Sequence, residues 1–164
     1  MTTDFPAHAE YLAFAETLAD QSRRMLLAVK GSAPKDDIKS HASFVTTADK
    51  AVEPALRAMI QETYPDHGIL GEEFNNINID ADFVGVLDPI DGTAAFVAGI
   101  PVYGTLIGLA WQGQPYVGVI DHPITSDRWT GVSGRMVEHN GTQVRVRACA
   151  SVETAYATCS IADL

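Results

Sequence analysis

Apolar side chains recur at Tyr11, Phe14, Ala15, Leu18, Met25, Leu26 and Val29, a spacing that predicts an amphipathic helix over Ala7 to Lys30 with Asp20, Arg23 and Arg24 off the stripe. Gly31-Ser32-Ala33-Pro34 is its stop signal, and the polar run Lys35 to His41 reads as a loop carrying Lys39 as a phosphate-side or lid residue. A second helix is expected from Thr47 to Tyr64, burying Val52, Leu56, Met59 and Ile60, with Thr46 and Thr47 as caps. Pro54 opposes it, since an interior proline costs about 3 kcal/mol. The pattern therefore predicts a kink, or a start near Lys50.

From Gly68 onward the period shortens toward that of strands. Gly68-Ile69-Leu70, Phe83 to Leu87, Thr105 to Trp111, Tyr116 to Asp121, Arg128 to Val132, Gln143 to Arg147 and Ala155 to Ser160 are apolar or alternating. Turn signals separate them at Gln112-Gly113-Gln114-Pro115, Ser133-Gly134 and Asn140-Gly141, the last a tight-hairpin pair. Helices followed by a meander predict an α+β fold, two helices packed on a mostly antiparallel sheet.

Composition narrows the class. A chain of 164 residues with 46% hydrophobic positions suffices for one domain spanning residues 1–164 with a real core. The formal net charge of −10 opposes binding to nucleic acid or to an anionic membrane. Cys149 and Cys159 are too few for a disulfide framework, which with the absence of a leader or membrane-span pattern predicts a cytoplasmic protein with free thiols.

The candidate chemistry lies in Asp88-Pro89-Ile90-Asp91-Gly92-Thr93, where an apolar strand delivers two carboxylates, three positions apart, to a sheet end. Pro89 and Gly92 are expected to turn the chain there. Thr93 to Ala98 then starts a short helix whose first N–H groups, at Gly92, Thr93 and Ala94, face an anion. Thr93 is also a candidate cap through its hydroxyl. Gly71-Glu72-Glu73 closes another apolar stretch and brings Glu72 toward the same edge, while Asp49 near a helix start is placed to orient a hydroxyl or water. Clustered carboxylates repel unless a cation neutralises them, and hard oxygen ligands select Mg²⁺, Mn²⁺ or Ca²⁺.

Other readings are weaker. Asn76 to Asp82 alternates oxygen ligands as an EF-hand loop does, but Phe83 replaces the required glycine and Pro89 the required glutamate, so it reads as a solvated loop. The histidines His8, His41, His67, His122 and His139 are scattered and read as surface or hydrogen-bonding residues. Haloacid-dehalogenase enzymes place their paired aspartates two apart, on one face of a strand. A separation of three needs the Pro-containing turn to reconverge the side chains, which favours metal ligands over a phosphorylated nucleophile.

Val45-Thr46-Thr47-Ala48-Asp49, Gly71-Glu72-Glu73 and Asp88-Pro89-Ile90-Asp91-Gly92-Thr93, in this order, resemble the motifs of the inositol monophosphatase family of Mg²⁺-dependent, lithium-sensitive phosphatases. Phe96 to Leu106 and Gly118 to Pro123 look more like its bacterial histidinol-phosphate phosphatase branch than the inositol enzymes, the runner-up. The resemblance implies that Glu72, Asp88 and the Ile90 carbonyl bind a first Mg²⁺, that Asp88 bridges to a second also held by Asp91, and that Asp49 and Thr93 polarise the attacking water. It implies a catalytic set of Asp49, Glu72 and Thr93, with Asp91, Gly92 and Thr93 at the phosphate. It further implies a small phosphate monoester substrate, a homodimer, and the N-terminal half of a layered αβαβα sugar-phosphatase fold. The family's later tryptophan-aspartate motif is missing, since neither Trp111 nor Trp129 precedes Asp, and Ala157 to Leu164 resembles the strand crossing into a second domain. A catalytically incomplete metal-binding or dimerisation fragment is therefore the reading from another class.

Overall fold

Helical periodicity at the N-terminus builds α1 (His8–Val29), which buries Ala15, Leu18, Ala19, Ser22 and Leu26. The structure, a computed structural model, describes residues 8–29, 37–38, 44–45, 47–135 and 137–156. Lys39, Thr46, the Gly31 to Pro34 stop and the segment Ala157 to Leu164 with Cys159 lie outside the described residues. Within the expected polar loop, β1 (Asp37–Ile38) pairs with β2 (Phe44–Val45) as a two-stranded antiparallel ladder. The pairing is non-local to so short a polar run, which is why periodicity missed it.

Helix α2 (Asp49–Thr63) buries Val52, Leu56 and Ile60, with Met59 half-buried against the same core. It begins at Asp49 and runs on through Pro54, so the proline falls early and forfeits only the bond that its N–H would have made to the Lys50 carbonyl. Thr47 does not cap it: Ala48 holds the cap position with no side-chain bond, and its carbonyl accepts from the N–H groups of Ala51 (3.1 Å) and Val52 (2.9 Å).

A seven-stranded sheet follows, made of β3 (Gly68–Gly71), β4 (Phe83–Asp91), β5 (Gly104–Trp111), β6 (Gln114–His122), β7 (Asp127–Val132), β8 (Val137–His139) and β9 (Thr142–Val144), neighbours in chain order. Among the described residues only the first pair of this sheet, β3 with β4, is parallel, and its other ladders are antiparallel. The connections are tight where the sequence promised: Gln112-Gly113 and Asn140-Gly141 each place two successive residues at positive φ (48° and 73°, 49° and 74°), the geometry of a type I′ hairpin turn. β8 was not expected, β9 is shorter than Gln143 to Arg147, and Ala155-Tyr156 is not in a strand. The Asn76 to Asp82 loop is not purely solvated, because Ile77 exchanges both backbone bonds with Ile69 (2.8 and 2.9 Å) and covers the free edge of β3.

Both long helices lie on one face of the sheet. There Leu18, Leu26, Leu56 and Ile60 meet Ile69, Leu87, Ile107 and Val119 in a continuous core. The opposite face carries Leu70, Val86 and Ile120 at 40%, 37% and 42% exposure. Arg23, expected off the stripe, instead clamps α1 to the sheet: its Nε and Nη2 donate to the fully buried Asp121 (2.9 and 2.6 Å), which also accepts from Arg128 Nε (2.7 Å).

Candidate active site

On a regular strand, residues three apart point to opposite faces. β4 escapes this by a bulge. Asp88 pairs with Leu106 and Asp91 with Gly104, so Pro89 and Ile90 together oppose the single residue Thr105. The extra residue restores the phase and returns Asp91 to the face of Asp88, which is the open face, since Leu87 points into the core. Pro89 thus does not turn the chain as expected; it sits inside the strand at the bulge, a position where a residue without an N–H is tolerated. The turn comes at Gly92 alone, at φ 83°, a left-handed conformation that a side chain would strain.

The bulge is held from beneath. Thr105 Oγ1 donates to the Pro89 carbonyl (2.9 Å), and since that uses its proton, Ser22 Oγ of α1 is the donor in their mutual 2.6 Å bond. Both residues are fully buried. Sequence reading missed them because a serine on a helical stripe carries no sign of a distant partner.

Electrostatically, Asp88 is the centre. Burial, then a hydrogen bond with Glu72 and its charge, then the charge of Asp91 push its pKa up to about 8, opposed by the Ile90 backbone amide. Its Oδ1 is buried and has no hydrogen-bond partner among the described residues. Glu72 and Asp91 are exposed at the rim above it. Among the described residues no three His, Cys, Asp or Glu side chains stand as a ready-made metal cage. The convergence is a touching pair, Asp88 and Glu72, with Asp91 acting through its charge. A buried, unpartnered carboxylate oxygen next to two further acids is a donor set suited to a hard divalent cation.

Beside the acids, α3 (Thr93–Val97) starts at the Gly92 turn. The Thr93 hydroxyl does not cap it; Thr93 Oγ1 donates to the Ile90 carbonyl (3.0 Å), which keeps a second lone pair for another partner. Asp49 is fully buried in the first turn of α2 and is not among the charges acting on Asp88. The backbone of β2, just ahead of Asp49 in sequence, runs against α3, so the first and third motif segments are neighbours. The described histidines keep to other work: His122 Nδ1 pairs with the Tyr103 carbonyl (3.0 Å), and His139 Nε2 with Asp127 (2.7 Å) while stacking on Trp129.

Helices layered on one face of a mostly antiparallel sheet, with acids gathered on the other, make an α+β domain. The sequence profile described as the inositol monophosphatase family matches residues 7–162, and the chain belongs to that family. It is 41% identical over 150 residues to the bifunctional phosphatase IMPL2, chloroplastic, of Arabidopsis thaliana, covering 89% of this chain and 43% of that protein. It is 41% identical over 99 residues to the histidinol-phosphatase of Mycobacterium tuberculosis, covering 60% of this chain and 38% of that one. The extragenic suppressor protein suhB from Bartonella henselae has a similar solved structure, with a TM-score of 0.81 at 28% identity over 86% of this chain and 56% of that one. The chain spans less than half the length of the two curated relatives.

Proposed function

We propose that this chain is the metal- and phosphate-binding half of a cytoplasmic, homodimeric Mg²⁺-dependent phosphate monoesterase, with histidinol phosphate as its first substrate and a place in histidine biosynthesis. The observation that carries this reading is the buried, unpartnered Asp88 oxygen beside Glu72 and on the same sheet face as Asp91. Glu72, Asp88, Asp91 and the Ile90 carbonyl would hold the cations. When bound, Mg²⁺ supplies a water of lowered pKa and offsets negative charge on the ester. Asp49 and the Thr93 hydroxyl would orient the attacking water, and the Gly92 and Thr93 amides would hold the phosphate oxygens with Asp91 beside them. The substrate preference rests on the histidinol-phosphatase relatives, at 41% and 37% identity over part of the chain. Inositol monophosphate is the alternative substrate.

Phosphate release from both esters, measured with Mg²⁺ and with chelator on this chain and on one extended through a second domain, tests the reading. Asp88→Asn in the active form is expected to lower kcat/KM by more than about 100-fold, beyond the loss typical of groups that merely support a ligand. Undiminished turnover would overturn the assignment. Activity confined to the extended chain would assign the 164 residues the role of a metal-binding fragment.

A further inference from the structure

An ion pair lies buried within α2, where hydrophobic packing alone would have served stability as well. Glu53 has no exposed surface and Arg57 only 7%, and Arg57 Nε donates to Glu53 Oε1 at 2.7 Å. Their further hydrogen bonds reach one segment. Glu53 Oε2 accepts the Glu73 N–H (2.8 Å), Arg57 Nη2 donates to the Phe74 carbonyl (3.0 Å), and Arg57 Nη1 donates to the Asn75 carbonyl (3.0 Å). Three consecutive residues immediately after Glu72 are therefore gripped by their backbone, in a stretch with no strand ladder of its own. The guanidinium also stands 5.9 Å from the Phe74 ring. Gly71, just before Glu72, completes the fit: a Cβ there would overlap Glu53 Oε1 and Arg57 Nη2.

We propose that Glu53 and Arg57 are positioning residues that form a clasp, closed against Gly71, whose task is to hold the Glu72 carboxylate over Asp88. This rests on the metal-site reading above, in which Glu72 is a ligand. Glu72 itself is exposed and would otherwise be free to swing with its loop; the clasp removes that freedom from below, through the backbone, without occupying any oxygen that a cation needs. Arginine suits the task because its planar fork spans a carboxylate and two carbonyls at once, which a lysine cannot.

Mn²⁺ alone is the probe, its affinity read by water-proton relaxation on chains shown to be folded by urea titration, alongside amide hydrogen exchange over residues 72–76. Arg57→Met, Arg57→Lys and Gly71→Ala are each expected to weaken Mn²⁺ binding by about 10- to 100-fold and to speed exchange at Glu73. Arg57→Lys keeps the charge beside Glu53, so it separates loss of the fork from loss of the ion pair. Met59→Ala, which loosens the same helix elsewhere, is expected to leave Mn²⁺ affinity unchanged. Wild-type affinity in Arg57→Lys and Gly71→Ala, or an equal loss in Met59→Ala, would overturn the clasp while leaving the metal site standing. Failure of the wild-type chain to bind Mn²⁺, or equal binding by Asp88→Asn, would instead remove the metal site itself and the clasp's purpose with it.

Discussion

At Asp88, burial and neighbouring acids combine to hold a proton that an ordinary aspartate releases. Its pKa rises from 3.8 to about 8 on folding, so between those values the folded, metal-free protein binds more protons than the unfolded chain. Stability must then fall as pH rises, being fully present below the unfolded value and lost on passing the folded one. Urea midpoints in chelator are expected to decline from pH 5 to pH 8 more steeply in the wild type than in Asp88→Asn. Mg²⁺ should recover stability mainly at the alkaline end, where the carboxylates are ionised and able to bind it. A wild-type profile parallel to that of Asp88→Asn would show that Asp88 is not held protonated. The residue's identity and its neighbours in the motif were legible in the sequence. The orphaned oxygen was not, because lack of a partner depends on everything else packed around it.

Among the elements, β4 shows how a local pattern can predict correctly for an incomplete reason. The apolar run Phe83 to Leu87 is a strand and delivers its acids to a sheet end, but the proline turn expected to reconverge them is absent. The repair is a bulge set against Thr105 rather than a proline turn. That choice rests on cross-strand register and on the buried hydroxyls of Thr105 and Ser22, which lie far away in sequence. Thr105→Val preserves shape while removing the hydroxyl, leaving the Pro89 carbonyl and the Ser22 hydroxyl unsatisfied. The expected cost is about 1–3 kcal/mol in urea unfolding. A larger relative loss of Mn²⁺ affinity than in an equally destabilised core variant would show that the bulge also sets the spacing of Asp88 and Asp91. The helices were easier to read, since periodicity and turn chemistry are written locally; Arg23 and Arg57 were not, because each is placed by partners on another element.

For the whole molecule, the sheet has one covered and one open face. Pairing aligns Leu70 with Val86, and Leu106 with Ile120, on the side away from the helices, so the acids sit at the end of an apolar surface. Among the described residues no helix is long and apolar enough to cross a membrane, and the net charge of −10 provides repulsion between copies that salt will screen. Self-association of the 164-residue chain is therefore expected to strengthen with ionic strength, and Ile120→Lys to suppress it. Sedimentation at several concentrations checks this; a monodisperse monomer at high salt would mean that the open face is not sticky enough to matter.

By itself the sequence determined the family, the long helices, most of the strands and the acids of the proposed site, because hydrophobic period, turn residues and motif spacing act over a few positions. Tertiary structure decided which face Asp91 shares with Asp88, how Glu72 is held, and which polar side chains are buried with partners. Those outcomes depend on register and desolvation, and both are set by residues remote in the chain.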